Sequence, residues 1–243
     1  MKPFEKIKSK VDSKIHDKLP KKWKKIGNIV ILNFEGINEN KKRNIAEIYA
    51  NELNAKTIIQ KSRIKGELRK PDEIELLYGE ETETEINEYG ISYKLDLKEI
   101  MWSPGNTGWR SALKGPEKVK DFYTFENPKV IVDYFAGIGY FALQMAKGYP
   151  ETKVIAIDKN PKSIEYLSMN VVNNSIKNVE IINDDCRNVN IKADVVHLGY
   201  IGNTINFLEH SHDNLNDDGI VIFHEAYRNS WLGFKSRSNW GST

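Results

Sequence analysis

Apolar residues change their spacing along this chain, and each change marks a different kind of structure. Phe4, Ile7, Val11, Ile15 and Leu19 recur at three- and four-residue intervals, which predicts one face of a short amphipathic helix ended by Pro20. Gly27 to Phe34 (GNIVILNF) reads as a compact apolar strand. Ile45, Ile48, Tyr49 and Leu53 return to helical spacing within residues 39–53, and another strand is expected around Thr57 to Gln60. Ile74 to Gly79, Thr82 to Tyr89 and Ile91 to Leu95 are short, bounded by turns and rich in β-formers, so they predict an antiparallel sheet. Together these elements make a small α+β domain.

From Lys129 onward, strand and helix alternate: VIVDYF, a helix through Lys147, KVIAID, a helix from Pro161 to Asn173, VEIIND, ADVVHLGY, a helix near Thr204 to Asn214, and GIVIFHE. Such alternation builds a parallel sheet covered by helices, an α/β domain whose ligands sit beyond the carboxyl ends of the strands. The reading therefore divides the chain into a basic amphipathic arm (1–25), a small α+β domain (26–113) and an α/β domain (114–243). The Lys114-Gly115-Pro116 turn bridges the two larger units.

Charge adds an asymmetry to this plan. The net charge is only +2, yet residues 1–25 hold ten lysines against three acids. Such an end is either a solvated arm or a guide for an acidic polymer such as RNA. No stretch approaches the roughly 20 apolar residues of a membrane helix, and no apolar run follows the lysines to make a secretory signal, so a cytoplasmic location is expected. The single cysteine, Cys186, has no partner for a disulfide, and no spaced Cys/His set implies a metal.

Candidate chemistry gathers at the strand ends of the second half. Asp133-Tyr134-Phe135-Ala136-Gly137-Ile138-Gly139 closes the first strand, and Gly137 and Gly139 let the backbone turn tightly and approach a ligand at a helix start. With Ala142 and Asp158 the stretch also satisfies a nicotinamide-dinucleotide fingerprint. Two features favour S-adenosylmethionine: Asp133 just before the glycines suits a cationic ammonium, and Asp184-Asp185 ends the third strand. Asp158 would accept bonds from both ribose hydroxyls, and Asp185 or the backbone of Cys186 would receive the adenine amino group. Strand-end aspartates also cap helices and turns, which is the competing structural reading.

At these residues the chain resembles the Rossmann-like class I S-adenosylmethionine-dependent enzymes. Gly66-Glu67-Leu68-Arg69-Lys70-Pro71, Glu81-Thr82-Glu83-Thr84, Glu88-Tyr89-Gly90 and Lys94-Leu95-Asp96 resemble the domain that precedes the catalytic fold in archaeal and eukaryotic tRNA guanine-N1-methyltransferases. The likeness covers roughly residues 20–225. The group includes a sister, the tRNA 4-demethylwyosine α-amino-α-carboxypropyltransferases of wybutosine synthesis. Met101-Trp102-Ser103-Pro104-Gly105-Asn106 stands where the methyltransferases show Ser-Pro-Arg. His197-Leu198-Gly199-Tyr200 replaces their Asn-x-Pro. Both differences favour aminocarboxypropyl transfer over methyl transfer. A non-catalytic tRNA-binding or dinucleotide-binding protein is the alternative from another class.

The resemblance implies that Ser103 and Arg110 contact the methionine part of S-adenosylmethionine, a guanidinium being suited to a carboxylate. His197 and Tyr200 are the candidate general bases by position. Lys61, Arg63, Lys65, Arg69 and Lys70, five basic groups in ten residues, are the expected phosphate contacts to tRNA. Trp102 or Trp109 is a candidate platform for a splayed base. No obligate protein partner is evident. After His224-Glu225 the chain carries no acidic residue to Thr243 and lacks a recognisable final β-hairpin, so an atypical or truncated carboxyl end is expected after 225.

Overall fold

The computed structural model describes residues 2–61, 64–66, 70–71, 73–102, 127–199 and 204–224. Helix α1 (Pro3–Ser9) stops after two turns, and a 3-10 turn over Ser13–Lys18 follows. The single expected helix is broken because Asp12 accepts the Lys14 N–H at 3.0 Å, a local turn that competes with helix continuation. The apolar face survives the break. Ile7 and Leu19 are buried in one core with Val30, Leu32, Ile45, Tyr49 and Ile58, and the Tyr49 hydroxyl donates to the Pro20 carbonyl at 2.7 Å. The lysine-rich segment is thus laid against the small domain with most of its lysines exposed.

Strands β1 (Lys24–Ile26) and β2 (Ile29–Leu32) form a hairpin, and α2 (Glu39–Leu53) crosses from β2 to the parallel β3 (Thr57–Lys61). Asn38 caps α2 by accepting the Asn40 N–H at 3.0 Å, and Asn54 ends it in the left-handed region. β4 (Ile64–Lys65) and β5 (Lys70–Pro71) make a two-residue ladder. β6 (Ile74–Tyr78) then returns antiparallel to β3, completing the order β1-β2-β3-β6.

The expected antiparallel sheet over residues 74–95 is divided instead. β6 belongs to the first sheet, whereas β7 (Glu83–Glu88) and β8 (Ile91–Asp96) form a separate hairpin. Gly79 sits at φ +72° where the chain leaves the first sheet, with the Lys56 carbonyl so near that a Cβ would lie 2.3 Å from it. The hairpin closes through Tyr89 and Gly90, both at positive φ, as a two-residue turn demands. Ile91, Tyr93 and Leu95 alternate onto one face, and all three are buried with Ala142, Leu143, Met145 and Leu167 of the second half. That burial separates the hairpin from β6.

The second sheet has the order β11-β10-β9-β12-β13 and is parallel throughout. Its strands are β9 (Val130–Asp133), β10 (Lys153–Ile157), β11 (Val179–Ile182), β12 (Ala193–Leu198) and β13 (Leu215–Phe223). Helices α3 (Ala142–Gly148), α4 (Pro161–Asn173) and α5 (Leu208–Asp213) lie between them. The order reverses at β9, which has β10 on one side and β12 on the other. A crevice at the carboxyl ends of β9 and β12 follows from that topology.

Two asparagines on α4 hold the hairpin to this sheet. Asn170 accepts the Lys94 N–H at 2.8 Å and donates to the Lys94 and Ile138 carbonyls, while Asn174 accepts the Ser92 N–H at 2.8 Å and donates to the Ser92 carbonyl at 2.7 Å. Side-chain amides thereby replace a neighbouring strand along the edge of β8. Asn170 is fully buried, so its removal strands backbone groups away from water. Asn170→Ala is expected to cost roughly 2–4 kcal/mol of unfolding free energy, read from urea denaturation. A change under about 0.5 kcal/mol would show that the clamp is dispensable.

Candidate functional site

The loop after β9 owes its shape to two glycines. Gly137 and Gly139 adopt φ +57° and +98°, values that side chains disfavour. A Cβ on Gly139 would lie 2.5 Å from Leu143 Cγ and 2.9 Å from Leu167 Cδ1. Asn170 holds the loop from behind through the Ile138 carbonyl.

Asp158, just past β10, faces this loop. Its Oδ2 accepts the Gly137 N–H and its Oδ1 accepts the Asn160 N–H, each at 2.8 Å. Burial pushes its carboxyl above the usual range, against the pull of those two N–H groups, and the nearby Asp133 pushes the same way. A carboxylate has about four acceptor positions, so two remain for a pair of hydroxyls. Asn183, beyond β11, donates to the Asp158 carbonyl at 2.9 Å and ties the second and third strand ends together.

Asp185 is engaged differently from the sequence expectation. It caps the 3-10 turn Cys186–Asn188, and its Oδ1 accepts the Arg187 N–H at 3.0 Å and Arg187 Nε at 2.8 Å. Its Oδ2 accepts Arg187 Nη2 at 2.6 Å. The Arg187 guanidinium holds the Asp185 carboxyl down at about 2. Cys186 is buried, burial pushes its thiol up to about 12, and its carbonyl accepts His210 Nε2–H at 2.9 Å. This thiol is therefore no nucleophile at neutral pH. Among the described residues no group of three or more His, Cys, Asp or Glu is arranged to hold a metal ion.

Asp133 and His197 meet at the centre of the sheet. Both are fully buried, with His197 Nδ1 3.0 Å from Asp133 Oδ1 and His197 Nε2 3.0 Å from His224 Nε2. Enclosed in this way, His197 has no surface for direct contact with a substrate. Asp133 Oδ2 is buried with no hydrogen-bond partner, a vacancy that suits a cationic group. Phe141 packs on both imidazoles, at 4.4 Å from His197 and 5.1 Å from His224. Gly199 lets the chain pass over His197, since a Cβ there would lie 3.0 Å from Cε1.

Trp102, a candidate base platform, is partly buried between Tyr93 and Tyr140 at 5.9 and 5.4 Å. It is committed to packing. Ser103, Arg110, Trp109, Tyr200, Arg63, Arg69 and the segment after His224 lie outside the described residues. Lys61, Lys65 and Lys70 fall in β3, β4 and β5, described by backbone alone. His224 carried no role in the sequence reading. The signal for it is positional: β12 and β13 are neighbours in the sheet, and each ends at a histidine.

Glycine loop, paired acceptors on Asp158 and an unpartnered carboxylate oxygen on Asp133 together fit the nucleoside and ammonium of S-adenosylmethionine. Comparison with known proteins agrees. Residues 84–237 match the TRM5/TYW2 methyltransferase domain and residues 4–82 match the TYW2 N-terminal domain. A tRNA(Phe) (4-demethylwyosine(37)-C(7)) aminocarboxypropyltransferase of Methanocaldococcus jannaschii is 39% identical over 84% of this chain and 78% of its own length. One of the same name from Pyrococcus horikoshii is 37% identical over 86% of this chain and 72% of its length. The crystal structure of P. horikoshii TYW2 in complex with MeSAdo superposes with a TM-score of 0.74 at 32% identity, covering 92% of this chain and 78% of that one.

The buried histidines make stability depend on pH. Burial, and then the neighbouring His197, lower the His224 pKa to about 3 from an ordinary 6.5. The unfolded chain takes up a proton below pH 6.5 that folded His224 refuses, so stability is full above that value and falls as pH drops toward 3. The slope contributed is at most about 1.4 kcal/mol per pH unit. Urea midpoints between pH 7.5 and 5 should fall accordingly, and less steeply in His224→Gln. Equal slopes in the two proteins would contradict a neutral, buried His224.

Proposed function

The chain belongs to the TRM5/TYW2 methyltransferase family, and we propose that within it the protein is a tRNA 4-demethylwyosine aminocarboxypropyltransferase. It moves the α-amino-α-carboxypropyl group of S-adenosylmethionine to C7 of the tricyclic base beside the anticodon of tRNA(Phe). The observation that carries this reading is the match of residues 4–82 to the TYW2 N-terminal domain, joined to 39% and 37% identity with enzymes of that name. It acts on tRNA in the cytoplasm, without an obligate protein partner. No helix among the described residues is long and apolar enough to cross a membrane.

S-adenosylmethionine supplies a sulfonium with three carbons open to displacement, and the carbon in line with the attacking atom is the one transferred. Gly137 and Gly139 admit it close to the backbone, and Asp158 accepts both ribose hydroxyls. Asp185, beside its bonds to Arg187, or the Cys186 backbone receives the adenine amino group. Ser103 and Arg110 hold the methionine arm, with Asp133 Oδ2 turned to its ammonium, so that the arm rather than the methyl faces the base. Lys61, Arg63, Lys65, Arg69 and Lys70 contact tRNA phosphates. Tyr200 lies beyond β12 toward the base, and His197 stands behind it, buried.

Incubation with tRNA bearing 4-demethylwyosine and with S-adenosylmethionine labelled in the methyl or in the carboxyl carbon decides the reaction. Carboxyl label is expected in tRNA, with methylthioadenosine released. Methyl label in guanosine-bearing tRNA, with S-adenosylhomocysteine released, would assign methyl transfer instead. Asp158→Ala is expected to weaken S-adenosylmethionine binding by about 1.5–3 kcal/mol, measured by titration calorimetry. Unaltered affinity would remove Asp158 from the ribose site.

A further inference from the structure

Three adjacent strand ends bring Asp133, His197 and His224 into one line beneath Phe141. The polarity of the line follows from its first member. Asp133 Oδ1 accepts, so His197 carries its hydrogen on Nδ1 and the Nε2 of the neutral ring is an acceptor. The 3.0 Å contact between the two Nε2 atoms then needs a hydrogen from His224. His224 is accordingly the Nε2–H tautomer, with its lone pair on Nδ1. Exposure runs the same way: Asp133 and His197 are at 0% and His224 at 9%. The Thr204 hydroxyl donates to the His224 carbonyl at 3.3 Å and fixes this end of the line.

We propose that His224 accepts the proton lost by the acceptor carbon, and that His197 and Asp133 are positioning residues through which the resulting charge is moved inward. The proposal rests on the aminocarboxypropyl reading. The acceptor carbon bonds to the terminal carbon of the arm while the carbon–sulfur bond breaks, its electron pair going to sulfur. The same acceptor carbon then releases its proton to His224 Nδ1. His224 Nε2–H passes to His197 Nε2, and the charge rests on the His197 imidazolium against the Asp133 carboxylate. After product leaves, the proton returns to solvent by the reverse route. His224 begins neutral, because burial and the neighbouring ring oppose its protonation, and the dyad behind it offsets the weak basicity that burial imposes.

Histidine nitrogen NMR on the unaltered protein with S-adenosylmethionine should show Nδ1–H on His197 and Nε2–H on His224. A hydrogen on His224 Nδ1 would overturn the proposal whatever any variant does. His224→Gln should bind S-adenosylmethionine unchanged, yet transfer carboxyl label slower by on the order of 10²–10⁴-fold. Substrate deuterated at C7 should then show an isotope effect larger than in the parent, and imidazole should restore His224→Ala. Transfer by His224→Gln within about threefold of the parent would also overturn the proposal. Failure of the unaltered protein to transfer carboxyl label would sink the reaction assignment instead. Should the variants fail to fold, the NMR result alone decides. Asp133→Asn, whose amide can donate to His197 Nδ1, should reverse both tautomers, an effect that a purely structural Asp133 would not produce.

Discussion

Two side-chain amides on α4 carry the architecture. Asn170 and Asn174 satisfy the edge of β8 as a strand would, and Asn170 also holds the Ile138 carbonyl in the loop between Gly137 and Gly139. Hairpin, helix and ligand loop therefore share one set of buried bonds. Such bonds add little net when made and cost much when broken. The position of the loop is fixed by this constraint more than by the loop's own sequence.

Much of the second half was legible because α/β alternation is regular. Pro161 to Asn173 reads as one helix and forms one, with Asn160 as its cap. The glycines, Asp133 and Asp158 announce themselves by residue type at strand ends. The first half was less legible. Three short strands after Ile74 alternate alike, and spacing alone does not say which neighbour each will pair with. Only the burial of Ile91, Tyr93 and Leu95 against another domain's helices separates the hairpin from β6. Asp12 broke a helix whose apolar period continued unbroken, since the period reports the buried face and not the backbone path.

The site held two facts that spacing does not carry. Asp185 is engaged by an arginine two residues away, a local closure that residue type alone leaves undecided between capping and ligand binding. His197 stands out in sequence as a polar residue at a strand end, yet what it does depends on a partner 27 positions later that only the strand order brings to it. Asp133, Asp158 and Asp185 are three carboxyls in three electrostatic settings. One has an unpartnered oxygen, one is desolvated beside backbone N–H groups, and one is held low by a guanidinium.

The turn at Gly79 separates two histories of packing. Everything before it folds on the first sheet, and the hairpin after it gives its apolar face to helices more than forty positions further on. For anyone exchanging modules between related proteins, the joint belongs at this turn. A graft cut later, between hairpin and second sheet, would pair one ancestor's strand edge with another's asparagines, and the recombinant would inherit a mismatched seam beneath its ligand loop.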